Sequence, residues 1–319
     1  MPVTVDIQRM GIYQKRKDKT ADIGVPPCLL NEERRFGVLE ENDQMDLKKG
    51  CENYRDEGYG DLYISLFDCV LKTSKPGIPL KKVLGSEFVS TRRNLISFAK
   101  SAYSKSFFFI RAIRRKGIIF LYDKRSQYEG PDATPGYGYK LEQYMTLDEN
   151  GAPYDENAPV YNSECSRAVL RTTFSSGNEE IKVLYAAEID AQDKDGNLLE
   201  IKSNGNDISQ WIQKKGLDVY LQSYLGDISY VVRGETTKDQ IVFKVSKVST
   251  NELLRMGEEF WNPEICLERL FEVLQEIKKR LDRDDKAVKI IMKDGTITYS
   301  AEEIEECDFV DPLFLNHFD

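Results

Sequence analysis

The sequence predicts an α/β (α+β) fold in which helices flank a mixed β-sheet core. Short β-rich segments alternate with segments of helical periodicity along the chain, a pattern typical of layered α and β architectures. The 319 residues are 40% hydrophobic and 11% aromatic, which is enough to bury a sizeable core. Since no repeat, low-complexity tract or convincing linker divides the chain, we predict one domain over residues 1–319.

The N-terminal part of the chain gives the weakest periodic signal. Residues 1 to about 55 include Pro26-Pro27 and predict an irregular segment with a short extended piece at 36–39. Apolar residues then recur at helical spacing and predict a helix over 61–72. Two stretches rich in Gly, Pro and Asn, 130–138 and 150–159, predict long loops within the domain.

Turn and capping residues delimit the elements of the remaining chain. Asp207 or Ser209 can cap one helix and Gly226 can end it, while Ser249 with Glu252 forms a capping-box pattern. Asn262-Pro263 marks the start of another helix. The predicted strands are 106–113, 117–123, 181–191, 198–203, 228–233, 240–245, 288–292 and 296–300, and the predicted helices are 209–225 and 266–281.

Composition excludes several classes of enzyme. Only one histidine, His317, is present, so mechanisms that need several imidazoles, such as zinc deaminases and H-E-x-x-H proteases, are excluded. The six cysteines are far apart and form no C-x-x-C pair, which predicts reduced thiols. Catalysis must then rely on carboxylates, Lys, Arg, Tyr or a metal held by oxygen ligands, and such ligands suit Mg²⁺ or Mn²⁺.

Charge and hydropathy bear on the partners and the compartment. The net charge of −9 argues against a surface coated with basic residues, although a local basic channel is compatible with it. The apolar runs are far shorter than the roughly 20 residues that a membrane span requires, so we expect no membrane partner. Residues 1–19 lack the apolar core of a signal peptide, which points to the nucleus or the cytoplasm.

An acidic cluster is the main candidate for chemistry. Because side chains alternate along a strand, Glu188 and Asp190 share one face, and Glu200 and Lys202 share a face of the returning strand. If a hairpin pairs these faces, three carboxylates and one ammonium group converge. Two divalent ions would relieve the repulsion, activate a water molecule and stabilise a leaving oxygen. Lys202 would neutralise developing charge and orient the attacking water.

The acid-x-Lys triplet is not specific by itself, because four others occur, at residues 46–48, 180–182, 276–278 and 284–286. The position of Glu200-Ile201-Lys202 is more informative, since it follows Asp190 across a turn and precedes a helix that carries Gln222. This order resembles the core of PD-(D/E)xK nucleases. The competing interpretation is a solvated, charged hairpin face.

Four motifs resemble the decapping exoribonuclease (DXO) family of RNA 5′-end quality-control enzymes, and they occur in the family's order. A weaker match covers residues 89–95, where Thr91 and Arg93 stand in place of the family's Trp and Gly, and Trp261-Asn262-Pro263 fits the family's C-terminal region. The four motifs are Gly138-Tyr139-Lys140-Leu141-Glu142-Gln143-Tyr144, Glu188-Ile189-Asp190, Glu200-Ile201-Lys202 and Gln222-Ser223-Tyr224-Leu225.

The resemblance implies a role for each matching residue. Glu142, Asp190 and Glu200 would ligate a metal ion together with the carbonyl of Ile201, and Glu188 would serve a second ion. Lys202 and Gln222 would position substrate or water. Arg92 would hold a substrate phosphate, and its neighbours Thr91 and Arg93 would belong to the same substrate-binding segment.

The resemblance also implies activities and partners. The family removes incomplete or NAD caps, releases pyrophosphate from 5′ triphosphates and degrades RNA from 5′ to 3′, so the expected partners are capped, NAD-capped, triphosphate or monophosphate RNA 5′ ends. Fungal members also bind a separate 5′-to-3′ exoribonuclease. Two alternatives remain open at this point: a non-catalytic adaptor or activator of such an exoribonuclease, and a DNA exonuclease with the same core.

Overall fold

The structure is a computed structural model that describes residues 2–58, 61, 63–123, 136–304 and 309–319. Its strands form two sheets within these ranges. The larger sheet has nine strands, most of them antiparallel, but the central strand Phe88–Thr91 is parallel to both of its neighbours. Its spatial order is β15 (Thr296–Glu302), β14 (Ala287–Lys293), β6 (Phe108–Arg115), β7 (Ile118–Asp123), β5 (Phe88–Thr91), β9 (Glu179–Ile189), β8 (Cys165–Ser176), β1 (Thr4–Lys15) and β2 (Ala21–Ile23).

The smaller sheet has the order β10 (Ala191–Gln192), β11 (Leu198–Asn204), β12 (Tyr230–Thr236), β13 (Ile241–Ser249) and β3 (Gly37–Val38). A further short strand, β4 (Met45–Asp46), also pairs with β13. Strands β11 and β12 are parallel, and the helix α5 (Ile208–Tyr224) makes the connection between them. This crossover places a long helix next to the strand that carries Glu200 and Lys202.

Helices cover both faces of the larger sheet. On β7, Ile119 and Leu121 pack against one group of helices while Ile118 and Phe120 pack against the other, because successive side chains point to opposite faces. The first group is α3 (Arg92–Lys100), α5 (Ile208–Tyr224), α6 (Thr250–Gly257) and α7 (Pro263–Arg280). The second group is α1 (Ile64–Thr73), α2 (Leu80–Leu84) and α8 (Pro312–Asn316). Helix α4 (Tyr137–Met145) packs on the smaller sheet. The predicted mixed sheet with flanking helices is confirmed.

The predicted caps are present. The side chain of Asp207 accepts a hydrogen bond of 2.9 Å from Gln210 N at the start of α5, and Ser249 and Glu252 form the capping box of α6. Asn262 caps α7, and Pro263 is its first residue. The hairpins β6–β7 and β14–β15 and the strands β12 and β13 also lie where the sequence predicts them, within a few residues.

The prediction of an irregular segment over residues 1–55 is wrong for its first part, because Thr4–Lys15 forms the twelve-residue strand β1, paired along its length with β8. The first residues of β1 alternate polar and apolar, and Val5, Ile7 and Ile12 pack against the core, so the sequence holds a period-two pattern that the prediction overlooked. The strand is stabilised by backbone hydrogen bonds to a partner about 160 residues away in the sequence, as in Gly11 opposite Val169. Local periodicity cannot reveal such a pairing.

The predicted loop at 150–159 contains no helix and no named strand, whereas most of the loop predicted at 130–138 lies outside the described residues. The described cysteines, Cys28, Cys51, Cys69, Cys165 and Cys266, are free thiols, as predicted; Cys307 is outside the described ranges. In the described part of the chain, no helix combines the length and the apolar character needed to cross a membrane.

Candidate metal and substrate site

The candidate site lies where the chain passes from one sheet to the other. The predicted hairpin of strands 181–191 and 198–203 is only partly correct, because β9 ends at Ile189 in the larger sheet and only Ala191 and Gln192 pair with β11. Glu188 therefore belongs to the larger sheet and Glu200 to the smaller one. Ile189 of β9 packs in the core of the larger sheet, whereas Leu199 and Ile201 of β11 pack in the core of the smaller sheet, so the two strands of the expected hairpin diverge.

Asp190 joins the two strands at this crossing. Its backbone N–H donates a 3.3 Å hydrogen bond to the carbonyl of Leu199, and its carboxylate Oδ2 accepts a 2.7 Å hydrogen bond from the N–H of Ile201. Ile201 is 1% exposed, so this carboxylate is fixed against a rigid strand. The side chain of Asp190 is thereby held beside that of Glu200.

Glu142 reaches the site from a different element. Its neighbours on α4, Leu141 and Met145, are fully buried in the core of the smaller sheet, and they fix the orientation of the helix. A pocket of about 290 Å³ opens next to this helix. All the sequence-predicted carboxylates and several other predicted site residues line it: Arg92, Glu142, Glu188, Asp190, Glu200, Ile201, Lys202 and Gln222.

Glu200 is the most deeply buried carboxylate of the site, with 2% of its surface exposed. Its Oε1 accepts a 2.6 Å hydrogen bond from the side-chain amide of Gln222 and contacts the ammonium group of Lys202. Among the described residues its buried Oε2 has no hydrogen-bond partner, and Nη1 of Arg92 lies 3.8 Å from it. A buried carboxylate oxygen without a donor is chemically suited to a hard cation such as Mg²⁺ or Mn²⁺.

The electrostatics of the pocket indicate a shortage of positive charge. Burial, followed by the charge of Asp190, raises the pKa of Glu142 well above its usual range. Burial and the charge of Glu200 raise the pKa of Asp190 to about 7. For Lys202, burial acts in the opposite direction, but the charges of Glu200 and Asp190 outweigh it and raise its pKa. A bound cation would therefore favour the ionised form of both acids.

The remaining predicted residues differ in what they contact. Arg92 is 9% exposed and donates a 3.1 Å hydrogen bond to the carbonyl of Gln222. The hydroxyl of Thr91 accepts a 3.2 Å hydrogen bond from the N–H of Asn94, so it caps α3. Arg93 is exposed on the rim of an adjacent cleft. Across the described residues, no three acidic, His or Cys side chains form a preassembled metal cage, so ligation by these carboxylates remains a prediction.

A larger cleft of about 640 Å³ adjoins the acidic pocket and shares Arg92, Glu188 and Gln222 with it. It contains residues that sequence reasoning missed. Arg167 lies opposite Glu188 on the neighbouring strand β8, and its guanidinium group contacts the carboxylate of Asp61 and donates a 3.2 Å hydrogen bond to Ser65. No local motif marks either residue, because the pairing of β8 with β9 brings Arg167 to the site and Asp61 lies there through its contact with Arg167.

Comparison with known proteins identifies the fold and the family. The family model described as RAI1-like PD-(D/E)XK nuclease matches residues 22–314. The decapping nuclease dom-3 of Caenorhabditis elegans is 27% identical over 301 residues, which cover 87% of this chain and 76% of that protein. This agreement extends well beyond the motifs and confirms the resemblance that they predict.

Solved structures share the fold over nearly the whole chain. Candida albicans Rai1 in complex with pU5-Mn²⁺ has a TM-score of 0.77 and 14% sequence identity, and the match covers 99% of this chain and 95% of that one. Scheffersomyces stipitis Rai1 in complex with (3′-NADP)⁺ and a calcium ion has a TM-score of 0.72 and 15% identity, with coverage of 96% and 92%. With the family match spanning most of the sequence, these findings show that the chain belongs to the RAI1-like PD-(D/E)XK nuclease family.

Proposed function

We propose that this protein is a metal-dependent hydrolase acting on RNA 5′ ends. Its reactions would be removal of incomplete or NAD caps, release of pyrophosphate from 5′ triphosphates, and 5′-to-3′ degradation. The observation that carries the proposal is the single pocket in which Glu142, Glu188, Asp190 and Glu200 meet Lys202. The family match and the decapping relative support RNA ends as the substrate.

The predicted cofactor is Mg²⁺ or Mn²⁺, with two ions in the pocket. Glu142, Asp190, Glu200 and the carbonyl of Ile201 would hold one ion, and Glu188 would serve the second. Support comes from the donor-free Oε2 of Glu200 and from the raised pKa values of Glu142 and Asp190. When bound, such ions polarise the phosphate and lower the pKa of a water molecule.

The cationic and amide side chains have complementary tasks. Lys202 would stabilise charge that develops on the phosphate, since its ammonium group already lies against Glu200. Gln222 fixes the carboxylate of Glu200 by hydrogen bonding to Oε1. Arg92 borders both the acidic pocket and the larger cleft. This position suits a guanidinium group that binds the scissile phosphate of the RNA 5′ end.

Two alternative functions fit the site less well. A non-catalytic adaptor for a separate 5′-to-3′ exoribonuclease has no need for a buried acidic pocket. This chain retains all four predicted carboxylates in such a pocket, which argues against the adaptor. A DNA exonuclease with the same core would use the same carboxylates, but the decapping relative favours RNA. We also propose that the protein forms a single domain over residues 1–319 and resides in the nucleus or the cytoplasm. A separate 5′-to-3′ exoribonuclease is proposed as a partner.

The test is a panel of otherwise identical 5′-labelled RNAs carrying monophosphate, triphosphate, unmethylated-cap, methylated-cap or NAD ends, together with a single-stranded DNA of the same sequence. Each is incubated with the wild-type protein in Mg²⁺, Mn²⁺ or EDTA. We expect metal-dependent product from at least one RNA end and none in EDTA. Hydrolysis of DNA alone would favour the DNA exonuclease, and no hydrolysis of any substrate would favour the adaptor.

A further inference from the structure

One wall of the larger cleft is apolar, and its side chains have no role in the proposed reaction. Phe107 lines this cleft and is 57% exposed. The next residue, Phe108, is 2% exposed and packs edge-on against Phe98, with 5.6 Å between the ring centroids. Ile96 and Met292 line the same cleft. An aromatic ring is therefore presented to the cleft beside two aliphatic side chains.

The position of Phe107 is fixed by its loop. The hydroxyl groups of Ser104 and Ser106 are 2.7 Å apart, and the N–H of Ser106 donates a 3.1 Å hydrogen bond to the hydroxyl of Ser104. On the other side of Phe107, β6 begins with the buried Phe108. The backbone on both sides of Phe107 is thus ordered by an internally hydrogen-bonded turn and a strand of the core, which lowers the conformational entropy lost when a ligand stacks on the ring.

The charges around this wall suit a nucleotide. Arg93 and Lys100 are seven residues apart on α3, on the same face as Ile96 and Ser97, and all four line the cleft. Lys100 is ion-paired with Asp218, which also lines the cleft, so Arg93 is the candidate on this helix for binding a phosphate. Arg92 lies where the cleft meets the acidic pocket. An aromatic ring next to cations, in a cleft of about 640 Å³, provides a stacking surface for a base and partners for its phosphates.

We propose that the larger cleft is a nucleotide subsite in which Phe107 stacks on a nucleobase and Arg93 binds an adjoining phosphate. This inference rests on the proposed function, because it places the scissile phosphate near Arg92, between the subsite and the acidic pocket. The base could come from the nucleotide that caps the RNA or from the RNA itself. The two sources share the chemistry of a base joined to phosphate.

The first experiment introduces a fluorescent reporter at the wall. The natural tryptophans, Trp211 and Trp261, are buried, so the Phe107→Trp variant adds an exposed indole in the cleft. It is titrated, with EDTA and separately with Ca²⁺, with the cap dinucleotide GpppA, with NAD and with a short 5′-monophosphate RNA. Phe260→Trp is the control, because Phe260 is 40% exposed and does not line the cleft.

We expect saturable quenching in Phe107→Trp and none in Phe260→Trp. Quenching by GpppA and NAD would identify the capping nucleotide as the occupant, and quenching by the RNA alone would identify the RNA body. Absence of quenching with every ligand, in both EDTA and Ca²⁺, would overturn the subsite. Removal of Phe107's ring in Phe107→Ala should weaken binding by about 5- to 100-fold, while Phe260→Ala should not.

The two proposals fail in different ways. Quenching without hydrolysis by the wild-type protein would refute the proposed function and keep the nucleotide subsite. Hydrolysis by the wild-type protein, with no quenching in Phe107→Trp and an unchanged KM in Phe107→Ala, would refute the subsite alone.

Discussion

The side-chain amide of Gln222 donates a 2.6 Å hydrogen bond to Oε1 of Glu200, across the gap between helix α5 and strand β11. Glu200 is 2% exposed, and the same oxygen also contacts Lys202. Because both partners bind one oxygen, the other, Oε2, is left without a hydrogen bond and turned toward Arg92 at 3.8 Å. The arrangement fixes a carboxylate whose second oxygen has no donor among the described residues.

Loss of the Gln222 amide should reduce catalysis without unfolding the protein. In Gln222→Ala the carboxylate of Glu200 loses one of the two groups that orient it, and we expect activity to fall by about 10- to 100-fold. Gln213→Ala is the matched control, because Gln213 is exposed on the same helix. Steady-state kinetics and thermal melts test this; a melting temperature that falls far more in Gln222→Ala than in the control would instead indicate a purely structural amide.

Replacement of Lys202 should both inactivate and destabilise the metal-free protein. Lys202→Met removes the cation in contact with the buried Glu200, and we expect the free energy of unfolding to fall by about 1–3 kcal/mol in EDTA. Added Mn²⁺ should restore part of that loss, since it supplies positive charge to the same acids. Lys238→Met serves as the exposed control. Urea unfolding with EDTA and with Mn²⁺ measures the effect, and equal stability of the two variants in EDTA would argue against it.

Asp190 should make the metal-free protein less stable as the pH rises. Its pKa is about 7 in the folded protein and about 3.9 in an unfolded chain, so the folded state holds the proton over this interval and the unfolded state does not. Stability contributed by protonated Asp190 is present below about pH 4 and is lost as the pH rises to about 7. In EDTA, Asp190→Asn should therefore gain about 1–3 kcal/mol relative to the wild type between pH 5 and pH 8. Parallel stability curves for the two proteins would contradict the assignment.

Gly234 should be intolerant of a side chain because of its position under helix α4. A Cβ atom at this residue would lie 2.8 Å from Cδ2 of Leu141 and 3.2 Å from Cγ1 of Val242, which are both fully buried. Gly234→Ala should cost about 1–3 kcal/mol of stability and lower activity, since Leu141 precedes Glu142. At Gly11 a Cβ would meet nothing within 4 Å, so Gly11→Ala is the control. Unfolding curves and activity of the two variants decide this, and matching stabilities would count against the packing argument.

The part of the site that depends on local alternation could be predicted from the sequence. Glu200 and Lys202 were predicted to share a face of one strand, and their side chains are in contact. The cap of α5 at Asp207 was also predicted, and this helix carries Gln222 to Glu200. These relationships need only the two-residue period of a strand and the chemistry of a helix start.

Relationships between distant elements were not predictable from local pattern. Glu142 reaches the pocket because Leu141 and Met145 pack on the smaller sheet, and only the family resemblance pointed to it. The separation of Glu188 and Glu200 into two sheets, and the arrival of Arg167 beside Glu188, follow from long-range strand pairing. The pairing of strand β1 with β8 is also long-range, whereas the alternation of residues 4–8 that predicts a strand is visible in the sequence itself.

The most direct test of the central claim is the rate of metal-dependent hydrolysis by Asp190→Asn, on the RNA 5′ end that the wild-type protein cleaves best. The control is Asp195→Asn, which alters an exposed carboxylate in the turn before β11. We predict a loss of at least about a hundredfold in Asp190→Asn and wild-type rates in the control, because Asp190 is a proposed metal ligand. Hydrolysis by Asp190→Asn within about twofold of the wild type would contradict the assignment of this pocket as the active site.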